Sequence, residues 1–300
     1  MTRDVFVVDG IREQGAAVVD HLLSGAVGDV AVTASTPHPY NARRSVASLR
    51  DRGVDVVRGD LDDPASYRTH LADADAAFLV TATGDGGADT EAVRGRGFVD
   101  AAMDAGVDHL VYGSAMGTDR PGADGIQALS GKRRVEAYLR EVDLSYTVVR
   151  PGLLVQRFER QRDAIADGTV AWPVEPDTRL AVVDADDVGS VVTSAMADPG
   201  RFDGVHVDVA GDVLTLAEIA DGFAEVRGHH VTAEHVTDRR ERERFGDLTA
   251  ERYAWFDANG GHRLDPAPLA DLDLHPRSLY DALQRTGWAP DTDEEEALPN

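Results

Sequence analysis

The chain has 300 residues, room for one large domain or two modest ones, and its 42% hydrophobic content is enough for a full core. The 54 Asp plus Glu against 30 Lys plus Arg give a formal net charge of -24, a surface that repels nucleic acid and argues against direct DNA binding. There is no cysteine, which excludes disulfides, thiolate nucleophiles and Cys-ligated metals. No apolar run approaches the length of a membrane-spanning helix, and MTRDVFVVDG lacks the apolar stretch of a secretory signal, so a cytoplasmic protein with no membrane partner is expected.

Short apolar runs alternate with helical patterns. Asp4 to Asp9 (DVFVVD) reads as the first strand, Gly10 to Gly15 as a turn, and Ala16 to Leu23 as the helix that follows. Asp29 to Ala34 is the second strand and Val54 to Arg58 the third, followed by a capped helix start at Asp62-Asp63-Pro64. Ala76 to Thr81 (AAFLVT) is the fourth strand, and Thr90 to Ala105 a helix closed by Gly106. His109 to Tyr112 is the fifth strand, Lys132 to Arg140 a helix, and Ser145 to Val149 the sixth strand. Beyond Pro151 the pattern is less regular. Leu180 to Val183 and Val205 to Val209 read as strands, and Leu216 to Val226 as a helix capped by Thr215. Asp238 to Asp247 is polar and charged, Tyr253 to Trp288 holds apolar helices separated by Pro266, Pro268 and Pro276, and residues 291–300 form an acidic tail.

Continuous apolar strands between helices predict an α/β fold, a Rossmann-type doubly wound parallel sheet with a smaller C-terminal lobe. The expected division is a nucleotide-binding domain over 1–155 with returning segments near 180–210, a smaller substrate or partner lobe over 156–290, and the tail. Ligands on such sheets bind outside the carboxyl ends of the strands, near Gly10, Ser35, Asp60, Thr81, Ser114 and Arg150-Pro151.

Four features there carry chemistry. A dinucleotide turn needs glycine where backbone approaches pyrophosphate and where helix packs on strand. Gly10 and Gly15 fit those roles, but the middle glycine is absent, the turn reads one residue short, and Arg12 and Glu13 occupy its tip; an ordinary strand-to-helix turn is the plainer alternative. At the end of the second strand, where Asp or Glu selects NAD and Arg selects NADP, stand Ser35 and Thr36, with Arg43 and Arg44 further on. Asp60 can accept a hydrogen bond from an adenine amino group with Leu61 on the ring, or simply cap a helix. Lys132 is the one lysine of the chain, which suits a site that wants a compact ammonium. The position four before it, where reductases of this fold place a Tyr general acid, is Ala128. His206, His229 and His230 lack metal-ligand spacing, so no metal is expected.

The segments GVDVVRGDLDDPASY, FVDAAMDAGVDHLVYGSA, KRRVEAYLR, YTVVRPGLLVQRF, VVDADDVG and VDVAGDVLTLAEIADGFAEVRG resemble those of NmrA-like proteins, atypical members of the short-chain dehydrogenase superfamily. The dispersed acids and scarce lysine resemble proteins of salt-loving archaea, whose high internal salt screens such self-repulsion. The family resemblance implies NADP or NAD binding without the Tyr–Lys pair. By position it implies nucleotide contacts from Gly10, Arg12, Gln14, Gly15, Ser35, Asp60, Leu61, Thr81, Ala82, Lys132, Leu154 and Gln156. Family members usually carry Gly-x-x-Gly-x-x-Gly in the turn and Arg at the place of Ser35; this sequence has neither. Three functions stay open: a redox-sensing regulatory protein with a protein partner and no turnover; an NAD(P)H-dependent reductase of quinones or related acceptors; and a degenerate fold used as a protein-interaction module.

Overall fold

The computed structural model describes residues 2–25, 27–40, 43–84, 86–238 and 245–289. Two compact units divide the chain, one of Met1–Pro151 with Ala185–Val209, the other of Gly152–Asp184 with Ala210–Asn300.

The first unit is built on a seven-stranded sheet. Its strands are β1 (Arg3–Val7), β2 (Val30–Thr36), β3 (Asp55–Arg58), β4 (Ala76–Val80), β5 (His109–Gly113) and β6 (Tyr146–Pro151), with β10 (Val205–Val209) returning after the second unit's first strands. The order is β10-β6-β5-β4-β1-β2-β3, and every pairing is parallel. All five residues of β5 are buried, as an apolar run inside a sheet covered on both faces requires. The chain runs outward from β1 to β3 and then returns to β4 on the other side of β1. That reversal opens the crevice at the carboxyl ends of β1 and β4 where doubly wound sheets receive ligands.

The helices of this unit are α1 (Glu13–Leu23), α2 (Arg43–Asp51), α3 (Ala65–Leu71), α4 (Gly87–Ala105), α5 (Gln127–Leu139), α7 (Ala185–Ala197) and α8 (Pro199–Phe202). Alternate strand residues Phe6, Leu79, Leu110, Tyr112 and Val148 meet Phe98 of α4 and Val135 of α5 in one core. Burying a ring such as Phe98 contributes on the order of 2–3 kcal/mol. Gly95 of α4 lets Val135 approach to where a Cβ would lie 2.3 Å from its methyl, and Gly131 of α5 lies against Glu91 and the Ala88 carbonyl. Gly131 therefore permits close helix packing without ending α5, which starts at Gln127 rather than at the expected Lys132. Gly106 closes α4 in the left-handed conformation, φ 77°, as its position predicts. The helix α7 is absent from the sequence reading.

The second unit holds a three-stranded sheet of β7 (Leu153–Leu154), β9 (Leu180–Val183) and β11 (Asp212–Leu214), and a parallel pair of β8 (Thr169–Trp172) with β12 (Thr232–His235). Its helices are α6 (Arg162–Ala166), α9 (Leu216–Arg227), α10 (Asp247–Ala258), α11 (Ala267–Asp271) and α12 (Leu279–Arg285). Thr215 caps α9 in a reciprocal capping box with Glu218. An aromatic core gathers Phe158, Trp172, Phe223, Tyr253, Phe256 and Trp288. The division falls at Pro151–Gly152, where 155 was expected, and the returning segment is Ala185–Val209, because β9 pairs with β7 and β11. Residues 239–244 of the polar stretch and the acidic tail lie outside the described residues. Among the described residues, no helix is long and apolar enough to cross a membrane, and no group of three or more His, Asp or Glu could hold a metal ion.

Candidate functional site

The strand-to-helix turn after β1 is built differently from its sequence reading. The left-handed residue is Asp9, φ 53°, one position before Gly10. Asp and Asn enter this region more readily than other side-chain-bearing residues. Gly10 serves another purpose: its amide donates to the Ser35 carbonyl at 3.1 Å, and a Cβ on it would lie 2.7 Å from that of Ala34. Gly15 brings α1 onto the strand, since its Cβ would fall 2.4 Å from the Asp9 carbonyl oxygen. The turn thus runs Asp9-x-x-Arg12-x-x-Gly15, with full spacing rather than one residue short. Arg12 takes the middle place as the extended N-cap of α1, φ -127°, and makes no side-chain cap. The first-turn amides of a helix have no helical acceptors and favour an anion.

Charge at this turn is mixed. The Arg12 guanidinium lies 3.9 Å from the Asp9 carboxylate. Burial raises the Asp9 pKa, Arg12 opposes the rise and Glu13 adds to it. Gln14 reaches toward the end of β5, where its buried Oε1 has no partner and would stand 3.1 Å from a Cβ on Gly113.

At the ends of β2 and β3 the expected contacts are largely committed to the fold. Ser35 is 1% exposed and lies under Gly59, whose Cβ would meet the serine Cβ at 2.5 Å. Arg43 and Arg44 fall in α2. Asp60 organises the entry to α3: its amide donates to Ser66 Oγ at 2.9 Å and its Oδ1 accepts from the Asp62 amide at 3.0 Å. Leu61 packs half-buried on the core of the first unit.

At the end of β4, Lys132 Nζ donates to the Thr81 carbonyl and to Glu91 Oε1, each at 2.6 Å. Thr81 and Thr83 hydroxyls donate to the two Glu91 oxygens at 2.8 Å, and the Tyr112 hydroxyl shares a hydrogen bond of 2.9 Å with Thr81 Oγ1. Burial pushes the Glu91 carboxyl up, but Lys132 and the two hydroxyls outweigh it and hold the pKa below the usual range. Tyr112 is fully buried, and that burial pushes its phenol well above the usual value. Ala82 is exposed beside this cluster. Ala128 is half-buried on α5.

A second ionic cluster lies one turn further along α5. Glu136 accepts from Ser114 Oγ at 2.6 Å, Thr118 Oγ1 at 2.7 Å, and Arg150 Nη2 at 2.7 Å and Nε at 3.1 Å. Arg150 also faces Asp119 at 3.1 Å, Asp208 at 3.8 Å and His206 Nδ1 at 3.2 Å. A cavity of 230 Å³ opens beside it between Asp119, Arg133, Glu136, Ala137 and Arg140. Burial alone would raise the Glu136 pKa; its His206, Arg150 and Ser114 partners hold it well below normal. Asp208 is raised to about 6, chiefly by burial, against the pull of Arg150.

The two remaining expected residues, Leu154 and Gln156, belong to the second unit. Leu154 is buried in β7, and Gln156 Nε2 donates to Asp184 Oδ1 at 2.8 Å, the carboxylate that also binds Arg285 of α12. Sequence reasoning missed Glu91, Glu136 and Asp208. The one available signal was spacing: Glu136 stands four after Lys132, on the same side of a helix.

With this geometry in hand, the known proteins fall into place. An NmrA-like family protein of Dictyostelium discoideum is 23% identical over 280 residues, 88% of this chain and 90% of its own length. The Citrobacter sp. triphenylmethane reductase complexed with NADP(H) superposes with a TM-score of 0.77 at 18% identity, covering 94% of this chain and 99% of its own. NmrA, a negative transcriptional regulator, in complex with NADP superposes at 0.70 with 21% identity, covering 99% and 98%. At these identities the structural likenesses speak to the fold. The model of the NmrA-like family matches residues 1–259, and the chain belongs to that family.

Proposed function

We propose that this protein binds NADP(H) or NAD(H) in the cytoplasm and works as a redox-sensing regulatory protein that reports nucleotide state to a protein partner. The observation that carries this reading is the make-up of α5. Ala128 stands four residues before Lys132, where a reductase of this fold places its phenolic acid, and the lysine ammonium is engaged by Thr81 and Glu91. Tyr112, the phenol nearest this cluster, is fully buried with a raised pKa, a poor proton donor for a substrate.

The turn fits a dinucleotide in part. Gly15 preserves the close approach of α1, and Gln14 Oε1 is a buried acceptor without a partner. The α1 amides, Arg12, Gln14 and Gly15 would hold the pyrophosphate side, Asp60 and Leu61 the adenosine side, and Thr81, Ala82 and Lys132 the nicotinamide ribose. Gly10 and Ser35 shape the crevice from beneath, and Leu154 and Gln156 are assigned contacts by family position alone. When bound, the nicotinamide supplies a hydride; this chain offers it no phenol four residues before Lys132, where Ala128 stands.

Calorimetric titration with NADPH and NADH in molar KCl, followed by addition of quinones, tests the proposal. Binding without steady NADPH oxidation is expected. Sustained oxidation would favour the reductase, the reading that the likeness to triphenylmethane reductase supports. Failure of both nucleotides to bind would leave the protein-interaction module.

A further inference from the structure

We propose that Asp9 sets dinucleotide affinity in this chain by placing a carboxylate in the turn that receives the pyrophosphate. The inference rests on the nucleotide-binding reading above and concerns the same crevice. A left-handed residue in the turn that follows β1 is the place a dinucleotide turn gives to glycine, which supplies the backbone shape with no side chain near the ligand. Asp9 supplies the same shape, φ 53°, and adds a negative charge beside the α1 N-terminus. Arg12, in the place of the middle glycine, faces the Asp9 carboxylate at 3.9 Å. Asp9 and Arg12 thus form an internal pair where an incoming anion would seek the guanidinium and the α1 amides. A pyrophosphate entering there must displace the carboxylate from Arg12 or neutralise it.

Among the described residues, the charged groups acting on Asp9 are Arg12 and Glu13, both at the start of α1. The flanking strands meet the turn through the backbone of Ser35 on β2 and Phe78 on β4, which bring no charge. Burial and Glu13 already favour the protonated acid, and a bound polyanion favours it further. Dinucleotide binding therefore takes up a proton on Asp9, and affinity falls as pH rises.

The experiment is calorimetric titration of the full chain, D9N and D9G with NADPH and with adenosine 2′-monophosphate, at pH 8 and pH 6 in fixed KCl. Asn tolerates the left-handed backbone and Gly prefers it, so both variants keep the turn. Both are expected to bind NADPH roughly tenfold tighter than the unaltered protein at pH 8, a gap that narrows at pH 6. The monophosphate, which has no pyrophosphate, is expected to bind all three proteins alike. Equal NADPH affinity in the three proteins overturns the role of Asp9 and leaves the nucleotide-binding reading standing. An equal gain for the monophosphate overturns it too, because the effect is then not local to the pyrophosphate. If none of the three binds NADPH, the nucleotide-binding reading itself falls, and this inference with it.

Discussion

Two ionic clusters sit one helical turn apart on α5 and treat buried charge in opposite ways. At Lys132 one base meets one acid, Glu91, and the threonine hydroxyls of β4's carboxyl end complete the carboxylate's shell. At Arg150 one base meets Glu136, Asp119 and Asp208, with His206 alongside. The first cluster is balanced, with both partners saturated. The second is over-acidic, and its surplus appears as one depressed carboxyl, Glu136, and one raised carboxyl, Asp208. A matched buried pair holds two elements at fixed separation, whereas a mismatched cluster keeps part of its charge open to titration.

Breaking the over-acidic cluster at its base produces the largest expected effect. In Arg150→Met the carboxylate of Glu136, 1% exposed, keeps the Ser114 and Thr118 hydroxyls, with Arg140 at 3.6 Å and His206 at 3.7 Å, but loses its two-pronged guanidinium partner. The loss of unfolding free energy is expected to be about 3–5 kcal/mol, measured by guanidinium denaturation at pH 7 and constant KCl. Adding Glu136→Gln removes the stranded charge and is expected to restore part of the loss. A double variant no better than Arg150→Met would show that the arginine acts through packing alone.

The balanced cluster yields a somewhat smaller effect. Lys132→Met strands Glu91, which is 0% exposed, but Thr81 and Thr83 still donate to it, so about 3 kcal/mol of destabilisation is expected. The double variant with Glu91→Gln is expected to recover most of that, more completely than its counterpart at Arg150, because no third carboxylate is left behind. Equal recovery in the two pairs would erase the contrast between the clusters.

How much of this could be read from the chain depends on distance along it. The strands of the main sheet were legible, because parallel strands buried on both faces write themselves as apolar runs, AAFLV and HLVYG among them. Lys132 stood out as the one lysine, but its partner lies 41 residues away on another helix, and no local pattern pairs them. The turn reads one residue short in the sequence because counting starts at its first glycine, Gly10, while the backbone begins the turn at the left-handed Asp9 and keeps Gly10 for contact with Ala34. The short strands β7, β8, β11 and β12, two to four residues each, are too brief for a period to show.

The smallest expected effect is also the one that separates the clusters by pH. Asp208 titrates near 6 in the folded protein, because burial penalises its charge more than Arg150 relieves it. A carboxyl with a raised folded pKa contributes its full stability below its unfolded pKa of about 3.9 and loses it as pH rises through the folded value. Above pH 6 the folded state therefore carries the cost of an ionised, partly buried Asp208. Asp208→Asn removes that cost and is expected to stabilise the protein by about 2 kcal/mol at pH 7. The gain shrinks between pH 6 and pH 4 and vanishes below that. Thermal unfolding of the variant and the unaltered protein across this range reads the difference directly. A gain that stays constant down to pH 4 would mean that the substitution acts by packing, and that Asp208 is not the surplus charge of the Arg150 cluster.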